Sequence, residues 1–193
     1  MSKRDDKTHE GYLEKQILIA MPDMADPNFT RSVTLLCQHT EEGAIGIIIN
    51  RKSEYNLGEI FKQLDITCEN ESIREAQVLE GGPVNMDRGF VLHSPKEGFE
   101  SSLEISPGIM VTTSRDVLAA IARGHGPDQY VVALGYAGWG DGQLESEMRE
   151  NAWLSVPADR AIVFELPLKD RWQHAVSRLG IDISHLHGGG GHA

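Results

Sequence analysis

The window that most restricts what this chain can fold into is Gly135 to Trp153, GYAGWGDGQLESEMRENAW, where four glycines, two tryptophans and a tyrosine run into a charged amphipathic stretch. Gly135, Gly138, Gly140 and Gly142 fall within eight positions, and each carries backbone entropy that a helix or strand interior must remove. The first half of the window is therefore expected to be a shaped loop. Tyr136 and Trp139 give it apolar faces with polar edges, and such rings either anchor a loop to a core or line a recess. Leu144 and Met148 are then four apart, as are Glu145 and Arg149, which places an apolar contact and an ion pair on a short helix.

Elements on either side follow from local patterning. QILIAM (Gln16 to Met21) reads as a buried strand, and PDMADPNF after it as a proline-bounded loop anchored by Phe29. RSVTLLCQH and AIGIIIN are two β-branched runs joined by TEEG, the form of a β-hairpin. Asn56 with Glu59 makes a capping box for a helix over Leu57 to Leu64. Short strands are expected at Gln77–Glu80, Gly89–His93, Ile109–Thr113 and Gln129–Leu134. A helix follows Ser114 through Arg123, with Gly124 as its left-handed stop. RAIVFEL (Arg160 to Leu166) reads as a strand, and Lys169 to Leu179 as a last helix ended by Gly180.

An early hairpin followed by mixed strands and helices, without strict βαβ alternation, predicts an α+β fold with a largely antiparallel sheet. At 193 residues, 40% hydrophobic and 24% charged, the chain has the size and balance of one domain. Residues 12–186 are assigned to it. Polar residues 1–11 and glycine-rich residues 187–193 are expected to be flexible tails.

Composition narrows the function classes. The formal net charge of −11 repels phosphate backbones, so direct nucleic-acid binding is disfavoured. No apolar run approaches the ~20 residues of a membrane span, and the first residues are charged rather than signal-like. A cytoplasmic protein without membrane contact is expected. Cys37 and Cys68 carry no companion pattern and read as packed thiols, not a disulfide.

Gly81-Gly82-Pro83 can expose consecutive backbone N–H groups as an anion-holding nest, with Arg88 adding a charge-assisted bond. A tight turn between strands explains the same letters. Asn50 and Arg51 end a hairpin strand where side chains leave the sheet, either as a solvated end or as binding residues. His185, His187 and His192 form the one local histidine cluster, without a carboxylate or Cys at ligand-like spacing, so no metal is assigned. No P-loop, dinucleotide fingerprint or nucleophile elbow occurs, and no cofactor is expected. Glu145 and Glu147, two apart, do not face each other on a helix. No catalytic residue is assigned.

The segments MPDMADPNFTRSV, GAIGIIINR, LEGGPVNMDRGFVLH, TSRDVL, LGYAGWGDGQLESE and NAW, in this order, resemble the AlgH/YqgE family over Tyr12 to Leu186. The resemblance implies a bifurcated sheet closing into a pseudo-barrel with flanking helices. It also implies, for the AlgH branch, a label of transcriptional regulator linked to alginate production, without an assigned enzyme activity. Lys52 stands where many members have proline after Asn50-Arg51, so that turn is expected to be less rigid here.

The resulting expectation is a binding or regulatory protein, a monomer or weak homodimer, acting indirectly if it affects transcription. Its unidentified protein or small-molecule partner would meet a groove built by Asn50 and Arg51, by Gly81, Gly82, Pro83 and Arg88, and by Tyr136, Trp139 and Gln143. An enzyme of unknown class using His93 or Glu145 as acid/base is one alternative. A direct DNA-associated regulator is the other.

Overall fold

A computed structural model describes residues 13–24 and 26–180. The expected tails, the boundaries at residues 12 and 186, and the histidines at 185, 187 and 192 lie outside the described residues. The chain begins with β1 (Gln16–Ala20), β2 (Val33–Thr40) and β3 (Gly43–Ile48), followed by β4 (Lys52–Asn56), α1 (Leu57–Gln63), α2 (Glu71–Arg74) and β5 (Gln77–Glu80). β6 (Val84–His93), β7 (Ser102–Ser106), β8 (Ile109–Thr112), α3 (Arg115–Ala122) and β9 (Tyr130–Trp139) come next. The described chain closes with α4 (Gln143–Arg149), β10 (Trp153–Pro157), a π-helical turn (Ala161–Glu165) and α5 (Leu168–Ser177).

The main sheet path is β10-β1-β2-β3-β9-β6-β8-β7, and β5 with β4 branches from β9. Every strand pair is antiparallel except β5 with β9. The fold is thus a single α+β domain with a curled, bifurcated sheet, as expected. Local chemistry accounts for several of its parts. The Asn56–Glu59 capping box starts α1, its two reciprocal bonds measuring 2.9 and 3.2 Å, and each satisfies an otherwise orphaned N–H. Gly124, at φ +78, stands just beyond the α3 cap at Arg123, the left-handed stop its sequence position predicts.

Three apolar clusters hold the sheet. Inside the curl, Ile19, Leu35, Ile47 and Leu92 pack against Val163 of the π-helical turn and Trp172 and Val176 of α5. On the opposite face of the β5–β9–β6 arm, Leu57, Phe61, Val117 and Ile121 bring α1 and α3 onto Val78 and Val132. A third cluster joins Leu18, Ala137, Trp139 and Trp153 under Leu144 of α4.

Three expectations change. The stretch Gly135–Trp139 is not a loop but the second half of β9; Gly135 admits neighbouring backbone where a side chain would stand. Only Gly140–Gly142 remains as the turn into α4. Residues 161–165 wind into a π-helical turn rather than a strand; Ile162 and Val163 are fully buried, and short apolar runs fit either form. Residues 84–88, between the strands expected at Gln77–Glu80 and Gly89–His93, belong to β6. β4, β7, β10 and α2 were not foreseen; β4 (KSEYN) is polar and mostly exposed, so it carries no hydrophobic pattern.

Candidate functional site

The sheet divides where two glycine segments meet. Before Gly135, β9 pairs in parallel with β5 through Val132–Leu134, and after it β9 pairs with β3 through Ala137–Trp139. Gly135 turns the strand at φ +76, and a Cβ there would fall inside 3.0 Å of the Gly82 carbonyl oxygen. A Cβ at Gly81 would meet the Gly135 carbonyl, and one at Gly82 the Tyr136 carbonyl, at the same forbidden range. The Gly81 N–H donates to the Leu134 carbonyl (2.7 Å) and its own carbonyl accepts from Ile48 N–H (2.8 Å). Gly81 is therefore a strand-crossing residue with its N–H spent, which removes it from an anion nest.

Beside this crossing the branched arm leaves part of the sheet face uncovered. A groove of ≈ 700 Å³ opens there, with Val91, Val132 and Leu134 among its apolar lining residues. Ser53, Glu54 and Tyr55 of β4 and Leu64 after α1 line it, as do Thr113, Ser114 and Arg115 at the start of α3. Met86 and Asp87 of β6 and Glu80 of β5 complete the polar and apolar rim. Tyr55, Leu64 and Met86 are 43%, 38% and 55% exposed. Arg115 Nη2 donates to the Leu64 carbonyl (2.8 Å), tying α3 to the end of α1. A second groove of ≈ 470 Å³ lies across the β6 arm, lined by Gln38, Thr40, Glu42, Val84, Tyr136 and Gly138 among others.

The residues nominated from sequence are distributed differently. Asn50 bridges two strands, its Oδ1 accepting from Val33 N–H (2.9 Å) and its Nδ2 donating to the Arg31 carbonyl (2.9 Å). Arg51 donates to the Asn28 and Thr30 carbonyls, so its guanidinium holds the proline-bounded loop. Pro83 and Arg88 are exposed on the β6 arm, with the Arg88 guanidinium 5.3 Å from the Phe90 ring centroid. Gln143 is exposed and accepts from Gly140 N–H (2.9 Å), closing the turn before α4.

The two aromatic residues both line the second groove but differ in burial. Trp139 is 6% exposed, with Phe29 stacked at 6.1 Å and Trp153 edge-on at 5.7 Å, so its ring anchors the core. Tyr136 is half-buried, edge-on to Phe90 at 5.9 Å, and its hydroxyl accepts from Asn85 Nδ2 (3.4 Å). It stands between the core and the second groove.

His93 and Glu145 line neither groove. His93 is fully buried; its Nε2 is 2.6 Å from Thr112 Oγ1 and its Nδ1 2.8 Å from the Ser94 carbonyl. Burial lowers its pKa, partly opposed by the Ser94 bond. Because a carbonyl only accepts, Nδ1 carries the proton there and Nε2 accepts from Thr112. Arg149 acts on Glu145 only as a nearby favourable charge, without the expected direct ion pair among the described residues; the Glu145 carboxylate accepts from His39 Nε2. The His39 Nδ1 accepts from Leu13 N–H (2.8 Å), which fixes the proton on Nε2. Burial raises the Glu145 pKa, but the bonds from its own backbone N–H and from His39 outweigh it, and the carboxyl sits below its ordinary value.

Two further side chains are structural. Arg171 donates to the Ile49 carbonyl (2.7 Å) and the Leu166 carbonyl (3.0 Å), and desolvation pushes it down to about 10. Desolvation pushes the half-buried Cys37 thiol up to about 12, which removes thiolate chemistry at neutral pH.

Sequence reasoning missed Tyr55, Leu64 and Met86, and with them Glu54, Glu80 and Asp87. Their signal was slight: a tyrosine inside a polar stretch and a methionine inside an apparent turn, 31 positions apart.

Comparison with known proteins agrees with this architecture. Residues 17–184 match the AlgH-like family. A UPF0301 protein of Xanthomonas campestris pv. campestris is 51% identical over 181 residues, covering 94% of this chain and 96% of its own length. One from Stenotrophomonas maltophilia is 52% identical over 180 residues, covering 93% and 96%. The solution structure of the AlgH protein from Pseudomonas aeruginosa superposes with a TM-score of 0.79 at 47% identity, over 97% of this chain and 99% of that one. A crystal structure from Corynebacterium diphtheriae shares the fold alone, with a TM-score of 0.72 at 18% identity over 90% of each chain. The family match, the relatives and the shared bifurcated sheet together make this chain a member of the AlgH-like family.

Proposed function

We propose that this chain is a binding module of the cytosol, not an enzyme, and that it holds its partner in the ≈ 700 Å³ groove between β4–α1 and β6–α3. One observation carries this reading. Of the five large hydrophobic residues exposed on the described surface, Tyr55, Leu64 and Met86 line this one groove. Apolar side chains gathered on a concave surface, with polar residues around them, mark an interaction site. Methionine adds a flexible, polarisable surface that adapts to its partner.

The glycine crossing supports the groove by fixing the β5–β9–β6 junction beside it, and Arg51 anchors the start of β4 to the loop before β2. A role in gene regulation is then indirect, through the bound partner, because a net charge of −11 opposes phosphate contacts.

The neutral dye Nile red tests the groove. Its fluorescence should rise with the unmodified protein and fall to background with Leu64→Asp plus Met86→Asp, two exposed changes expected to leave the unfolding midpoint almost unmoved. Equal fluorescence from both proteins overturns the proposal.

A further inference from the structure

Resting on that groove reading, we infer that the occupant is an extended segment of a partner protein, carrying lysine or arginine among aliphatic residues and lying along the Asn85–Arg88 stretch of β6. The charge of the groove selects the cation. Glu54, Glu80 and Asp87 line it, and Arg115, the one basic residue among its described lining residues, already donates to the Leu64 carbonyl. An acidic chain also steers a basic partner toward it from a distance.

The register of β6 selects an extended segment. β6 pairs with β9 at Val84 and again only from Gly89, while its pairing with β8 begins at Val91. Asn85, Met86, Asp87 and Arg88 thus have no registered cross-strand partner among the described residues. An unpaired strand presents a row of N–H and C=O groups, and an extended peptide completes such an edge while its alternate side chains enter neighbouring pockets. The register shift between Val84 and Gly89 makes this stretch a bulge, with Asn85 at φ +45, and residues 85–88 are all exposed. Val84 and Met86 then stand exposed on the two grooves that the arm separates, a surface longer than a small molecule in one groove would cover.

The test uses the full chain and three labelled heptapeptides, alternating leucine with lysine, glutamine or glutamate, in fluorescence anisotropy. The lysine peptide should bind about tenfold more tightly than the glutamine peptide, from three exposed charge contacts of roughly twofold each. That preference should vanish in the Glu54→Gln, Glu80→Gln, Asp87→Asn variant. A lysine peptide N-methylated on alternate amides should bind about tenfold more weakly, having lost its strand-forming groups.

Equal affinity of the lysine and glutamine peptides, or a preference that survives in the triple variant, overturns the charge argument and leaves the groove reading in place. Undiminished binding of the N-methylated peptide overturns the strand-like placement. No peptide binding alongside retained Nile red binding overturns the peptide occupant alone. If Leu64→Asp plus Met86→Asp alters neither dye nor peptide binding, the groove reading falls as well.

Discussion

Gly135→Ala is the sharpest test of the architecture, because two neighbouring glycines separate its two costs. At φ +76 an alanine is forced into the left-handed region, and its Cβ meets the Gly82 carbonyl oxygen inside 3.0 Å, with Val84 O at 3.2 Å and Met86 Cα at 3.3 Å. Gly142 has nearly the same φ, +66, but nothing within 4 Å of its added Cβ. Gly142→Ala therefore measures conformation alone, about 1–2 kcal/mol. Gly81 lacks the positive φ yet would press its Cβ onto the Gly135 carbonyl. Gly81→Ala thus measures overpacking alone, about 1–3 kcal/mol. Gly135→Ala carries both, so a loss of about 2–5 kcal/mol follows. Urea unfolding of the three variants against the parent reads these differences as midpoint shifts at constant slope. In a thermal scan each 1 kcal/mol corresponds to about 2–4 °C for a chain of this size. A Gly135→Ala midpoint equal to that of Gly142→Ala would refute the claim that the sheet divides by backbone contact at this glycine.

Trp139→Ala should cost about 3–5 kcal/mol, because the ring is packed between Phe29 and Trp153 and its loss leaves a cavity; calorimetry checks this, and a cost under 1 kcal/mol would contradict a core-anchoring ring. Asn56→Ala should lose about 1 kcal/mol through the α1 cap, measured by urea unfolding. His93 should stay neutral through pH 6.5, since burial holds its folded pKa below that ordinary value. Its contribution to stability is then complete above the unfolded value of about 6.5 and declines as pH falls toward the folded one. An imidazole NMR titration with a midpoint at or above 6.5 would contradict it.

What the sequence disclosed was local. The Asn56–Glu59 box, the β2–β3 hairpin and the Gly124 stop each depend on residues a few positions apart, and each stands where its letters predicted. Signals failed where distant segments decide the outcome. The glycines of Gly135–Trp139 read as loop formers because entropy was counted within the segment; the use of Gly135 is the close approach of Gly81 and Gly82, more than 50 positions earlier. RAIVFEL has strand composition, but its Ile162 and Val163 fill the inside of the curl as one turn of helix. The family resemblance supplied the bifurcated sheet, which periodicity could not. The groove was illegible for the same reason as the crossing: β4, α1, β5, β6 and α3 each contribute a few residues to it, and no local spacing says that these segments meet. Arg51 and Trp139 looked available in the sequence, yet one is spent on loop carbonyls and the other on the core.

The most direct test of the groove is an amide NMR titration of the full chain with the leucine–lysine heptapeptide. Shifts concentrated at Ser53–Tyr55, Leu64 and Asn85–Gly89, with the Asn50 and Gln143 amides unmoved, are the predicted result. Shifts centred instead on Asn50, Arg51 and Gln143, or spread evenly over the acidic surface, would contradict the account.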